Sequence, residues 1–381
     1  MRPTHKLGPY ARPVSFRDLF PQAGRELVDV RGDDVLRRLG PDGIFDVVGD
    51  ILCGANVRAV TEAYTRTRVT LLSAALLKTY VLAKAADSSL PAGLAGTLAH
   101  ERTQRPLSKE HRWLLQWGLG LTDKQFQNVL RSDQEALSDY ADTFESVLSQ
   151  AADAARQAHG ELSGELTIEG TRAEMDWPTA LALMTAIGQA ALTIRGSEKS
   201  LYGKLFEKLV LAGVLHVLGF EYCEREVKPE AGKNLFWLAS EKERRESDAT
   251  ALVSDDVAIR FDIGFIGTGN PEILLDKISR FERMIELEGE NVDALPFVVG
   301  DSIAENSSIV ALAQDIGGVI VEMRKENWPV FLAEQIAAVS SYESPFSDDR
   351  EPEDVIRESL KTAPFGEMFE IAAEVAVSES D

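Results

Sequence analysis

Past residue 247 the hydrophobic pattern changes period, and that change limits what the chain can fold into. SDATALVSDDVAIRFDIGFIG (247–267) holds two apolar runs on either side of Ser254-Asp255-Asp256, which reads as a β-hairpin turning near 255. A helical pattern over 271–287 follows, with Asn270 as its cap and Pro271 at the first helical position. ALPFVVG (294–300), a helix from about 303, GGVIVEM (317–323) and a helix through 330–339 continue as β-α-β-α. This half is therefore expected to be an α/β domain that begins with a hairpin, its mixed sheet flanked by helices.

The first half carries a different signal. VTLLSAALLKTYVLAKAA (69–86), RWLLQWGLG (112–120) and the run from 123 to 157 place apolar residues three and four apart, the spacing of helices. Thr122-Asp123 looks like a helix start, and Trp113 and Trp117, one turn apart, read as core. The helix beginning LTDKQFQNVLR reads as an ordinary amphipathic one rather than a DNA-reading one. A polar stretch, 159–177, is the best boundary. Beyond it, SEKSLYGKLFEKLVLAGVLHVL (197–218) reads as a long helix capped by Ser197 and ended by Gly219. FEYCEREV (220–227) reads as a strand. The expected organisation is a helical domain over 1–190, an α/β domain over 191–345, and a loosely held acidic tail over 346–381.

Composition restricts the partners. The net charge of −22 argues against a protein that coats nucleic acid or membranes non-specifically, but a groove needs only local positive charge. Between Arg195 and Arg245 there are ten Lys/Arg against eight Asp/Glu, a slightly positive stretch in an acidic chain. Cys53 and Cys223 suggest neither a disulfide framework nor a zinc site, and the five histidines are scattered. The N-terminal residues lack the apolar core of a signal peptide. The most apolar segments, 68–86 and 179–194, read as short of a membrane span. A cytoplasmic protein that does not engage membranes is expected.

The turn in RFDIGFIGTGNPEILLDK (260–277) admits two chemistries. Strand, glycine turn and helix is the layout of a dinucleotide or methyl-donor site, built here on Gly264, Gly267 and Gly269. The third glycine of that fingerprint is replaced by Glu272, whose charge opposes a pyrophosphate, and no phosphate-binding GxxxxGK[ST] motif occurs. The other chemistry uses acids to hold a hard metal ion against a phosphodiester. In a hairpin pivoting near 255, Asp248 and Asp262 lie opposite each other and can share one metal. Glu207, placed among Leu205, Phe206, Leu209 and Val210, adds an acid on the preceding helix.

A helical Glu, a hairpin Asp and a strand acid two residues before a lysine form the pattern of the PD-(D/E)xK nucleases. The chain departs from it at residue 264, a glycine where the lysine should stand. Lys277, about two turns into the next helix, is the expected substitute, Arg280 the fallback, and Glu272 a further carboxylate. TIRGSEKSLYGKLFEKLVLAGVLHVLGF (193–220) together with FDIGFIGTGNPEILLDKISRFER (261–283) resembles the catalytic region of type II restriction endonucleases, most nearly the CfrBI group, over roughly 190–325. The resemblance implies a restriction-endonuclease-like fold and Mg²⁺-dependent, site-specific cleavage of double-stranded DNA. It also implies a homodimer paired with a protective DNA methyltransferase. It makes Glu207, Asp248, Asp262 and Lys277 the catalytic site, with Glu207, Asp248 and Asp262 as metal ligands. No organic cofactor is implied.

Arg195, Lys199 and Lys204 read either as a polar helix start or as contacts to DNA phosphates. Two other functions remain in view. A cofactor-binding enzyme would use the glycine turn, with a ribose-binding acid near Gly300-Asp301. A non-enzymatic interaction protein would leave Asp248 and Asp262 apart and in solvent.

Overall fold

The structure is a computed structural model that describes residues 15–28, 30, 32–103, 107–127, 134–223, 233–239, 247–254, 257–265, 275–281, 294–301, 313, 315, 317–346, 349–366 and 368. It divides into two compact units, one of Met1–Val30 with Tyr64–Ser197, the other of Arg31–Ala63 with Glu198–Asp381. Its helices in chain order are α1 (Gln22–Val28), α2 (Gly32–Leu52), α3 (Val57–Ala86), α4 (Leu94–Thr103), α5 (Lys109–Gly118), α6 (Asp123–Gln125), α7 (Gln134–His159) and α8 (Trp177–Val217), with Trp328–Val339 and Pro352–Leu360 further on.

The first unit is almost entirely helical, as its three- and four-residue apolar spacing requires. Ser108 caps α5 by accepting from the His111 amide, and Thr122 closes a capping box with Gln125 at α6. Trp113 and Trp117 are core, and the Trp117 indole donates to Thr193 Oγ1 at 3.0 Å. The polar stretch 159–177 forms a hairpin, β1 (Gly164–Ile168) and β2 (Thr171–Met175), in antiparallel register. Its two-residue turn, Glu169-Gly170, has positive φ at both positions, the conformation whose twist matches paired strands.

Two sequence expectations change here. Ser197 does not cap a helix: α8 runs unbroken from Trp177 to Val217, and the Ser197 hydroxyl donates to the Ile194 carbonyl inside it. The apolar run 179–194 is helical in its own right, so nothing ends the helix before 197. As continuous helices, Thr61–Ala86 and Trp177–Val217 do have the length and composition of membrane spans. Their apolar faces are used internally: Leu72, Leu76, Ala182, Leu183, Ala186 and Ile194 all belong to the core of the first unit.

The second unit is built on a six-stranded mixed sheet of β3 (Glu221–Tyr222), β4 (Leu235–Leu238), β5 (Ala249–Ser254), β6 (Val257–Gly264), β7 (Ala294–Gly300) and β8 (Val319–Glu322), in that spatial order. β5 pairs antiparallel with both β4 and β6, whereas β7 adds parallel to β6 and β8 parallel to β7. The hairpin and the two strands after it are where the sequence predicts them, with helix at 275–281 and Trp328–Val339. The helix expected from about 303 and the Asn270-Pro271 helix start lie outside the described residues. The alternation in β6 buries Ile259, Phe261 and Ile263, and the same-face residues of β7 include Phe297, whose ring lies tilted against Phe261 with centroids 5.5 Å apart.

The boundaries differ from 190 and 345. Residues 31–63 join the sheet unit because α2 packs into it: a Cβ at Gly213 would lie 2.8 Å from Val48, and Arg357 pairs with Asp50 at 3.0 Å. The segment after 346 includes an ordered helix, Pro352–Leu360, with Val355, Ile356 and Leu360 buried. Trp328 ties α2 to the parallel strands, donating from its buried indole to the Ile51 carbonyl at 2.9 Å. Replacing Trp328 with Ala is expected to cost about 3–5 kcal/mol of stability, since it leaves a large cavity and removes a buried hydrogen bond. Denaturant unfolding of the two proteins measures this, and equal midpoints would contradict the packing.

Candidate active site

The middle of α8 is buried on all sides, from Leu205 and Phe206 through Leu209, Val210 and Leu211. Polar groups in such a helix must find partners, and Glu207 and Lys208 both do so on the sheet. Glu207 Oε1 accepts from the Phe265 amide at 3.2 Å, just past the end of β6. Lys208 Nζ donates to Asp248 twice, to its backbone carbonyl at 2.7 Å and to Oδ1 at 3.2 Å.

The hairpin register pairs Ala249 with Phe261 and Thr250 with Arg260, so the next step places Asp248 across from Asp262. The Asp248 amide donates to the Phe261 carbonyl at 2.7 Å, and Asp248 Oδ2 accepts from the Ile263 amide at 2.9 Å. The carboxylate is therefore held at both oxygens. Asp262 is buried one position earlier than Ile263, with its side chain 5% exposed.

The helix at 275–281 supplies the facing charge. Lys277, itself buried, donates to Asp262 Oδ1 and to the Ile263 carbonyl at 2.8 Å, and its Nζ lies 3.7 Å from Asp248 Oδ2. One ammonium thus touches both acids. Arg280, one turn on, lies 3.8 Å from Asp262 Oδ2 and pairs with Asp276 at 3.3 Å. Its Nε is buried without a hydrogen bond among the described residues.

The protonation pattern follows from this crowding. Burial works against a charge on Asp248, but Lys208 and then Lys277 outweigh it and hold the carboxyl well below its usual range. Burial and the adjacent Asp248 charge push Asp262 the other way, up to about 7, with Lys277 offsetting only part. Burial likewise raises Glu207, against the pull of Lys277. Lys277 is disfavoured by burial, yet Asp262, Asp248 and Glu207 together raise it above an ordinary lysine. Two carboxyls with opposite shifts beside a permanent cation make a site whose charge is set by what binds there.

Of the residues singled out in the sequence, Glu207, Asp248, Asp262, Lys277 and Arg280 come together. Arg195 and Lys204 lie earlier on α8, Arg195 exposed and Lys204 half-buried. Lys199 is part of α8, while its side chain, Glu272 and the turn residues Gly267 and Gly269 lie outside the described residues. Gly264 ends β6, paired with Gly300 of β7. The acids are neither apart nor in solvent, as an interaction protein would have left them. Asp301, the acid a ribose site would use, pairs with Arg324 at 3.0 Å. Lys208 was missed. Its signal was a lysine set between Phe206 and Leu209 on a face with no room for an unpaired charge.

Carboxylates from a helix and a hairpin, brought to one lysine, have the order of acids expected for a nuclease. A family profile, "CfrBI restriction endonuclease", matches residues 41–308. The chain belongs to the CfrBI restriction endonuclease family. It is 36% identical over 336 residues to "Type II restriction enzyme CfrBI" of Citrobacter freundii, covering 86% of this chain and 89% of that relative. No solved structure matches the chain. The CfrBI family match begins in α2, so the likeness reaches through most of the helical unit, well beyond the 190–325 span visible in the motifs. It also contains Glu207, Asp248, Asp262 and Lys277.

Proposed function

We propose that Asp248 and Asp262, assisted by Glu207 and Lys277, are the Mg²⁺-dependent catalytic site of this enzyme. Family membership establishes the coarser activity: the chain is a type II restriction endonuclease, which cleaves DNA at specific sequences. The observation that carries the proposal is the opposed pair of half-buried Asp248 and buried Asp262 sharing one buried ammonium.

The donor set fits a hard divalent cation. Both hairpin acids offer carboxylate oxygens, and a positive charge, that of Lys277, already lies between them. Among the described residues no three acids, histidines or cysteines close around one point. That suits Mg²⁺, which keeps several waters and takes oxygens from the substrate phosphate. Asp248 and Asp262 would hold the ion, with Glu207 beside them. When bound, Mg²⁺ acidifies water for in-line attack and neutralises charge on the phosphate.

The chain's own groups do the rest. Asp248, pinned at both oxygens, sets the direction of the site. Lys277 donates hydrogen bonds to the attacking water or a phosphate oxygen once Asp262 is otherwise engaged. Arg280 Nε, lacking a partner among the described residues, is a further donor for the phosphate. Arg195, Lys199 and Lys204 are assigned to DNA phosphates. Two-fold DNA targets match two-fold proteins, so the enzyme acts as a homodimer, in the cytoplasm, beside a DNA methyltransferase that protects the same sequence.

The test is digestion of unmethylated phage DNA by the purified protein with Mg²⁺ and with EDTA. Discrete fragments that require Mg²⁺ are expected. Intact DNA across several substrates and salt concentrations would overturn the proposal.

A further inference from the structure

We infer that Lys208 is a positioning residue of the cleavage site, the fixed cation that locks the Asp248 carboxylate in its metal-binding orientation. The inference rests on the reading of Asp248 and Asp262 as metal ligands. It concerns a residue outside the helical Glu, hairpin Asp, strand acid and lysine that define the motif.

The geometry separates the two lysines. Lys277 faces Oδ2 of Asp248, bonds to Asp262, and lies where a cation shared by the two acids would go. Lys208 reaches the other oxygen, Oδ1, and simultaneously grips the backbone carbonyl of the same residue. That carbonyl also accepts from the Ala239 amide at 3.0 Å, so Lys208 ties α8 to the end of β4 and the start of β5 at the residue that precedes β5. A donor bonded to both the backbone and the side chain of one residue fixes the first side-chain torsion. With Ile263 holding Oδ2, the carboxylate has no free rotation left.

The location supports a permanent role. Lys208 is 2% exposed, among the most deeply buried charged residues described, and comes from the helix residue directly after Glu207. Burying an ammonium this deeply is costly unless it is paired, and among the described residues its side-chain hydrogen bonds go to Asp248. Lys277 must yield its bonds for a metal ion to take the same oxygens. Lys208 need not move.

The sign of one measurement decides between positioning and simple charge balance. A lysine that only balanced charge would repel Mg²⁺, so its removal would tighten Mg²⁺ binding. A positioning lysine has the opposite effect, because the freed carboxylate turns away. Lys208→Met, close to lysine in length, is expected to weaken Mg²⁺ binding to the DNA-free enzyme at least about tenfold by titration calorimetry, which is about 1.4 kcal/mol. Lys208→Gln, which keeps a donor in place, should weaken it less, and affinity for uncleaved DNA in EDTA should stay within about twofold. If Lys208→Met does not fold, Lys208→Gln is compared with wild type by the same criterion. Mg²⁺ binding unchanged or tightened in the folded variant would overturn the inference. Asp248→Asn and Asp262→Asn are run alongside. If both bind Mg²⁺ as wild type does, it is the metal-site reading that fails, and the two failures are distinguishable.

Discussion

Asp262→Ala is expected to lower Mg²⁺-dependent DNA cleavage by at least about a thousandfold while leaving affinity for uncleaved DNA nearly intact. A metal that polarises a phosphate and activates water lowers the barrier by several kcal/mol, and each 1.36 kcal/mol is a factor of ten. Asp262 is one of two carboxylates that, among the described residues, form ion pairs with the Lys277 ammonium, so its loss should remove most of that contribution. DNA affinity is set mainly by phosphate contacts from basic residues, and removing one buried acid should strengthen it if it changes at all. Cleavage rates by gel and DNA affinity in EDTA separate the two effects. Asp248→Ala should lose cleavage too, but with a larger stability loss, because Lys208 and the Ile263 amide would both be left without their carboxylate. Wild-type cleavage by Asp262→Ala would place the chemistry elsewhere in the chain.

Much of this site was legible because a β-hairpin carries its own register. Once the turn is put near 255, the opposition of 248 and 262 is fixed by counting, and no tertiary information is needed. The parallel additions, β7 and β8, were readable for a related reason: buried strands are nearly continuous apolar runs, as in ALPFVVG. Glu207 was legible as an acid on an otherwise apolar helix face. Lys208 follows the same rule, but its partner Asp248 lies forty residues on, and no helical spacing reveals that contact.

What the sequence concealed depends on contacts distant along the chain. The assignment of residues 31–63 to the sheet unit rests on Trp328 reaching Ile51 and Arg357 reaching Asp50, pairings across some three hundred residues that no periodicity reveals. The hairpin at 164–175 was hidden because its strands are polar and mostly exposed, and its turn is Glu-Gly rather than the stronger Asn-Gly signal. The break placed at Ser197 came from capping chemistry, which is local. The helix continues there because 180–194 and 205–217 both bury apolar residues, and burial outweighs a single serine.

The glycine at 264 leads to the other large effect. With no lysine two residues after Asp262, the ammonium arrives from residue 277 on the next helix, between the two acids. The proposed mechanism gives it two opposed roles: it would yield that space to the metal and then donate to water or phosphate during cleavage. Lys277→Met should therefore split two quantities that usually move together. Cleavage at saturating Mg²⁺ is expected to fall by about 10²–10³, the usual cost of one transition-state donor. Mg²⁺ binding to the DNA-free enzyme is expected to tighten, because no ammonium competes for Asp262 Oδ1 and Asp248 Oδ2. Lys208→Met is expected to weaken the same binding, so the two lysines, both in contact with Asp248, should move calorimetric affinity in opposite directions. If Lys277→Met instead cleaves at the wild-type rate, Arg280 supplies the charge, and Arg280→Ala should then be the variant that fails.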